Sequence, residues 1–212
     1  MRAIFIILTI ALIFPGCNSS SYTKNSNFRN DTIRLKNGLG LIILEVPSRY
    51  DTTLVWTNRS DCTSCGYEQY RFQRKNYPLF LESGFYWKGD PKDSVDEITI
   101  SQPREKLPID NTIVISESDH KLYVHEYNKN PLYFPITRDT LMVINSKQYS
   151  VIYADNFDST SMVFQQTLIA KCVVGGSSIE VKFRHWGKES TSDSFFQESL
   201  YILNSFRFCN GH

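Results

Sequence analysis

The sequence predicts an α+β domain, an antiparallel β-sheet covered on one face by a C-terminal amphipathic helix. Three observations predict it. Short runs rich in aromatic and β-branched residues recur between clusters of Pro, Gly, Asn and Asp. The 14 Phe, 12 Tyr and 3 Trp are side chains that suit half-buried pleated surfaces. Two alternating runs flank Gly175-Gly176, and after them the apolar period lengthens from two residues to about 3.6.

The chain opens with Met1-Arg2 and an apolar run from Ala3 to Phe14, interrupted only by Thr9. As a helix this run would be about 18 Å long, against roughly 30 Å of bilayer hydrocarbon, so it suits a signal-peptide core and not a span. Phe14-Pro15-Gly16-Cys17 resembles the lipobox of bacterial lipoproteins, in which a small residue precedes a cysteine that is diacylated on sulfur and freed by cleavage. Phe14 and Pro15 depart from the commonest pattern, whereas the pair Gly16-Cys17 matches it. The resemblance implies lipidation at Cys17 with diacylglycerol and a third acyl chain such as palmitate. Each buried methylene contributes about 0.8 kcal/mol, so three chains make an effectively permanent anchor.

Polar residues from Asn18 to Asn30 read as a tether. The expected organisation is a signal peptide over 1–16, a lipidated tether over 17–31 and one domain over 32–212. Asn18 does not resemble the inner-membrane retention signal, and the tether lacks the acidic cluster of surface-exported lipoproteins. The expected location is therefore the outer membrane, facing the periplasm.

Lys and Arg total 23 against 22 Asp and Glu, and Arg2 leaves with the signal peptide. The balanced charge argues against a nucleic-acid partner. Strands are expected at Leu39–Val46, Thr53–Thr57, Tyr67–Gln73, Glu97–Ile100, Thr112–Ser116, Lys121–Tyr127, Leu141–Asn145, Tyr149–Ala154, Met162–Val174 and Ser178–Trp186.

Gly175-Gly176 can adopt the positive φ angles of a two-residue hairpin turn. That turn would set Lys171 opposite Glu180, Ala170 opposite Val181, Leu168 opposite Phe183 and Cys172 opposite Ile179. Phe164, Leu168, Ala170, Cys172 and Val174 then share the core-facing side. A helix follows: Ser192, Asp193 or Ser194 can cap it, Gln197 stands at capping-box spacing from Ser194, and Phe196, Leu200, Leu203 and Phe206 form one stripe.

The hairpin, the helix and the tail Ser205-Phe206-Arg207-Phe208 resemble the C-terminal part of the PsbP-like group. That resemblance spans about the last fifty residues and implies an accessory or binding protein that is not an enzyme.

Besides Cys17 the chain has Cys62, Cys65, Cys172 and Cys209, all disulfide candidates in an exported domain. The expected pairing joins Cys62 to Cys65 and Cys172 to Cys209. A thioredoxin-like reading of Cys62-Thr63-Ser64-Cys65 wants a helix after the first cysteine, yet Tyr67–Gln73 reads as strand. A c-type haem would need His at Gly66. A zinc knuckle would need Cys172 and Cys209 to converge on the same loop.

His120, His125, His185 and His212 show no metal-ligand spacing. His120 and His125 would point to opposite faces of a strand, and His185 shares a face with Val181 and Phe183. Asp90, Asp93, Asp96 and Glu97, and Asp155 with Asp158, read as solvated loops without a calcium-loop pattern. Gly175-Gly176-Ser177 lacks the flanks of a nucleophile elbow.

Asp31-Thr32-Ile33, Asp51-Thr52-Thr53, Asp93-Ser94-Val95, Asp139-Thr140-Leu141 and Asp158-Ser159-Thr160 resemble the O-glycosylation triplet of exported Bacteroidetes proteins. The competing reading is that Asp-Ser and Asp-Thr pairs cap local turns.

No catalytic residue, cofactor site or metal site emerges. The expected role is a non-catalytic accessory or binding domain, attached to the membrane through its lipid and contacting an envelope protein or glycan. The alternatives are a thiol-redox or metal-binding protein using Cys62 and Cys65, and an inhibitor or immunity protein against a secreted enzyme.

Overall fold

The computed structural model describes residues 27–58, 66–77, 95–103, 114–130 and 134–209. Ten strands and two helices follow in chain order: β1 (Phe28–Arg34), β2 (Leu41–Pro47), β3 (Thr52–Asn58), β4 (Tyr67–Gln73), β5 (Val95–Pro103), α1 (Glu117–Lys129), β6 (Ile136–Ile144), β7 (Lys147–Asp158), β8 (Val163–Val174), β9 (Ser177–Gly187), α2 (Ser192–Ser205) and β10 (Arg207–Cys209). Every pairing is antiparallel. The strands form a small sheet, β1-β2-β10, and a seven-stranded sheet, β3-β4-β5-β9-β8-β7-β6.

This corrects the expected α+β class. The fold is β-rich, with two sheets and two short helices. Ile33, Ile42, Leu44 and Val46 of the small sheet are buried together with Tyr70, Phe72, Ile98, Ile100, Leu168, Val181 and Phe183 of the large one. A sheet, and not a lone helix, therefore covers much of the apolar face. Helix α2 adds Ile202 and Leu203 to this core and packs more on β2 than on β8. Periodicity identifies an apolar face but says nothing about which element will cover it.

The hairpin register is the expected one: Lys171 faces Glu180, Ala170 faces Val181, Leu168 faces Phe183 and Cys172 faces Ile179. Gly175 and Gly176 hold φ of +53° and +78°, values that favour glycine and close a two-residue turn with right-handed strand twist. A Cβ on Gly175 would also lie 2.7 Å from Leu39 Cδ2.

Lys121–Tyr127 is helix α1, not a strand. Ser116 accepts from the Asp119 amide and Asp119 accepts from the Ser116 amide, a reciprocal capping box. Glu117 and Lys121 add a 2.7 Å ion pair at i,i+4 spacing. The alternation of Leu122 and Val124 mimics a strand, but a satisfied helix start outweighs it. Val114–Ser116 has no strand structure, and Thr112 lies outside the described residues. β1 begins at Phe28, so residues 28–31 belong to the small sheet and not to the tether. Among the described residues no helix is long and apolar enough to cross a membrane.

Candidate binding face

Strand alternation divides the large sheet into an apolar face and a polar one. Tyr70 and Phe72 of β4 pair with Ile100 and Ile98 of β5, whereas Arg71 lies opposite Thr99, Gln73 opposite Glu97, and Glu97 opposite Arg184 of β9. Directly paired residues project to one side. Gln69, Arg71, Gln73, Glu97, Thr99 and Arg184 are all buried on that side.

Glu97 sits between two guanidiniums. One carboxylate oxygen accepts from Arg184 Nε at 2.7 Å and from its Nη2, and the other stands 3.3 Å from Arg71 Nε. The Arg71 side chain has no exposure at all. Its guanidinium donates to Thr99 Oγ1 at 3.2 Å and lies 4.8 Å from the Trp56 ring centre. Buried ions of this kind require partners, because desolvation costs several kcal/mol each.

Two amide oxygens on the same side, Gln69 Oε1 and Gln165 Oε1, are buried and have no hydrogen-bond partner among the described residues. Their amide nitrogens are used, Gln69 on Ser101 Oγ at 3.0 Å and Gln165 on Asp158 Oδ2 at 3.4 Å. An orphaned buried carbonyl costs about 1–3 kcal/mol. An apolar residue of like size would avoid that cost.

A second cluster closes one end of the apolar face. Asp96 accepts from Tyr50 Oη at 2.5 Å and from Arg49 Nε at 2.9 Å, with Arg74 Nη2 3.6 Å and His185 Nδ1 3.9 Å away. Arg49 continues to Glu198 of α2 at 2.6 Å. Burial alone would push the Asp96 carboxyl up, but contacts from His185, Arg49 and Tyr50 hold it down at about 2. Burial and the neighbouring Asp96 charge push the Tyr50 hydroxyl well up. This cluster ties the β2–β3 turn, β5, β9 and α2 together.

Asp96 and Glu97 are therefore buried strand residues on opposite faces, not members of a solvated loop. Their charges could be found by noticing that each shares a strand with Ile98 and Ile100. Asp90, Asp93, His212, Cys17, Cys62 and Cys65 lie outside the described residues. Cys172 is a buried free thiol, which burial pushes up to about 12. Cys209 is disulfide-bonded and Cys172 is not, so the expected bond between the two is not made.

His120 and His125 lie on α1 and not on a strand. His120 is buried, its Nδ1 2.7 Å from Ser150 Oγ and its Nε2 3.1 Å from Asp139 Oδ1, fastening α1 to β6 and β7. His185 shares its face with Val181 and Phe183 as expected. In the glycosylation triplets, Asp158 accepts from the Thr160 amide in a turn, whereas Asp31 and Asp139 lie within β1 and β6 and Asp51 accepts from the Lys75 amide. Local turn capping therefore accounts for Asp158 alone among the described triplets. Asp155 stands 3.5 Å from Tyr153 Oη, and among the described residues no three His, Cys, Asp or Glu side chains are grouped to hold a metal.

The fold defines an antiparallel two-sheet β protein with a buried polar face. No known family's sequence profile matches the chain, and no curated protein matches it. The resemblance to the PsbP-like group thus has no family match behind it. Among solved structures, the chain is similar to LpqN, described as involved in cell envelope biogenesis of Mycobacterium tuberculosis. The TM-score is 0.42 at 10% identity, covering 84% of this chain and 90% of that one. A likeness this loose carries no argument about function.

Proposed function

We propose that this protein is a lipid-anchored envelope protein whose β domain is a non-catalytic binding or accessory module. The observation that carries the reading is Gly16-Cys17 at the end of a signal-like apolar run, ten residues ahead of the first described residue, Asn27. In this reading Cys17 bears the lipid, the anchor sits in the outer membrane and the domain faces the periplasm. The polar face of the large sheet supports binding, because Gln69 and Gln165 keep costly unpaired oxygens there. Arg71 and Arg184 are buried and taken up by Glu97, so the half-buried Trp56 and Trp186 on that side are what a polar envelope glycan would stack on.

Production of the full chain in a diderm bacterium tests the anchor. The protein is expected in the outer-membrane fraction with a lipid-modified N-terminal Cys17, and Cys17→Ser is expected to lose both. An unlipidated, soluble wild-type protein would refute the anchor. Binding is read as a rise in melting temperature with soluble peptidoglycan fragments, lost in Gln69→Met while the fold is kept. A rise retained in Gln69→Met would remove Gln69 from the site.

A further inference from the structure

The two sheets end, among the described residues, in four outer strands: β1 and β10 in the small sheet, β3 and β6 in the large one. The free N–H and C=O groups of an outer strand can accept a strand from another chain, and edges that stay single carry charge, Pro, a bulge or very few residues. Three of the four are protected in this way. β1 holds Arg29, Asp31 and Arg34. β10 has only three residues. β6 carries Arg138 and Asp139, and its register shifts between Ile136 and Arg138.

β3 has none of these devices. Its seven residues, from Thr52 to Asn58, include no charge, no Pro and no Gly, and they pair with β4 without a register shift. Thr, Val and Trp favour extended backbone. Among the described residues no main-chain hydrogen bond reaches the outer edge of β3. Val55, at the centre of the strand, is 59% exposed, and Thr53 is exposed beside it.

The strand is also its own antiparallel complement. With a two-fold axis at Val55, Val55 meets Val55 of a second copy, Thr53 meets Thr57, and Leu54 meets Trp56, so that each pair matches in polarity. Moving the axis to Leu54 or to Trp56 sets Val55 against Thr and leaves two of the seven residues without a strand partner. In sequence the strand is bracketed by Asp51 and Arg59. Their signs are opposite, so the register centred on Val55 sets no like charges together where the strands end.

We infer that β3 is the edge through which two copies of this chain pair, antiparallel about Val55, joining their large sheets into one. Val55 lies opposite Tyr70 and Trp56 opposite Gln69, so Val55 belongs to the apolar side and Trp56 to the polar side. The join sets the two Trp56 side chains at diagonal positions on the polar side, about 7–8 Å apart. It does not depend on the proposed glycan or on the lipid anchor. A contact of one short strand from each copy is small beside the roughly 1,200–2,000 Å² of stable interfaces, so the dimer forms reversibly as concentration rises.

The test uses the unlipidated Cys17→Ser chain. Sedimentation velocity over a concentration series is expected to show a reversible dimer that Val55→Lys and Thr53→Lys each abolish, with the melting temperature unchanged. Mild oxidation reads the register, because residues opposed across an antiparallel pair have Cα atoms about 4.5–5.5 Å apart, within the roughly 4.4–6.8 Å that a disulfide spans. Val55→Cys is expected to cross-link to itself. Thr53→Cys alone is expected to stay at the background of the parent chain, and its mixture with Thr57→Cys to give a linked dimer. A chain that remains monomeric at every concentration, a dimer that survives both lysines, or self-linking of Thr53→Cys as complete as that of Val55→Cys overturns the inference.

Discussion

Asp96→Asn removes a buried charge while keeping the side chain's shape, and its effect follows from the carboxyl's surroundings. A carboxyl held at about 2 against an ordinary 3.8 contributes roughly 2.5 kcal/mol of stability at neutral pH. Folding depresses this pKa. The contribution is therefore complete above the unfolded value and is lost as pH falls through the folded one, between about pH 4 and pH 2.

The variant is expected to lose about 2–3 kcal/mol at pH 7, less than the roughly 3–5 kcal/mol of a fully buried pair because Arg49 is one-third exposed. At pH 2.5 the gap should shrink below about 1 kcal/mol, since wild-type Asp96 is then largely protonated in the unfolded chain and partly so in the folded one. Urea unfolding of the unlipidated Cys17→Ser chain, followed by tryptophan fluorescence, measures both values. A gap equal at the two pH values, or one below about 0.5 kcal/mol at pH 7, would refute the account of this cluster as electrostatic.

Three further outcomes follow from the geometry. Glu97→Ala should cost about 3–5 kcal/mol by stranding Arg71 and Arg184, whereas Glu180→Ala, whose partner Lys171 is 3.2 Å away but partly solvated, should cost under about 1 kcal/mol; equal losses in denaturant midpoints would contradict the burial of the first cluster. Gly175→Ala should lower stability by about 1–2 kcal/mol, combining a positive φ with the approach of Leu39; an unchanged melting temperature would show that the turn has other conformations open to it. Cys172 should resist alkylation in the native protein and react after unfolding, because its thiol is buried and raised to about 12. Peptide mapping that finds native Cys172 labelled, or bonded to Cys209, would count against this.

Reading from sequence succeeded where the determinant was local. Gly175-Gly176 can satisfy only a few turn geometries, and with a two-residue period the turn specifies every cross-strand pair up to Leu168 and Phe183. The apolar stripe of Phe196, Leu200 and Leu203 likewise marks α2 without knowledge of its partner, whereas Phe206, expected to continue it, is the extended residue that ends the helix. The start of α2 was less legible. Its N-cap is Thr191, without a side-chain cap bond, and Ser194 instead donates to Thr191 O at 2.9 Å, so the expected capping residues do not cap it.

Helix α1 was encoded locally but by competing signals, since Ser116 and Asp119 start a helix while Leu122 and Val124 alternate like a strand. The sequence by itself determined the hairpin register, the apolar faces and the amphipathic stripe, because each depends on residues within a few positions of one another. Only the tertiary structure decided that a second sheet shares the covering of the large one with α2, and that Asp96 and Glu97 leave solvent for opposite faces of β5. It likewise left Cys172 without a disulfide. Each of these depends on contacts between distant segments, such as Arg49 with Glu198, 149 positions apart, and no local period records such distances.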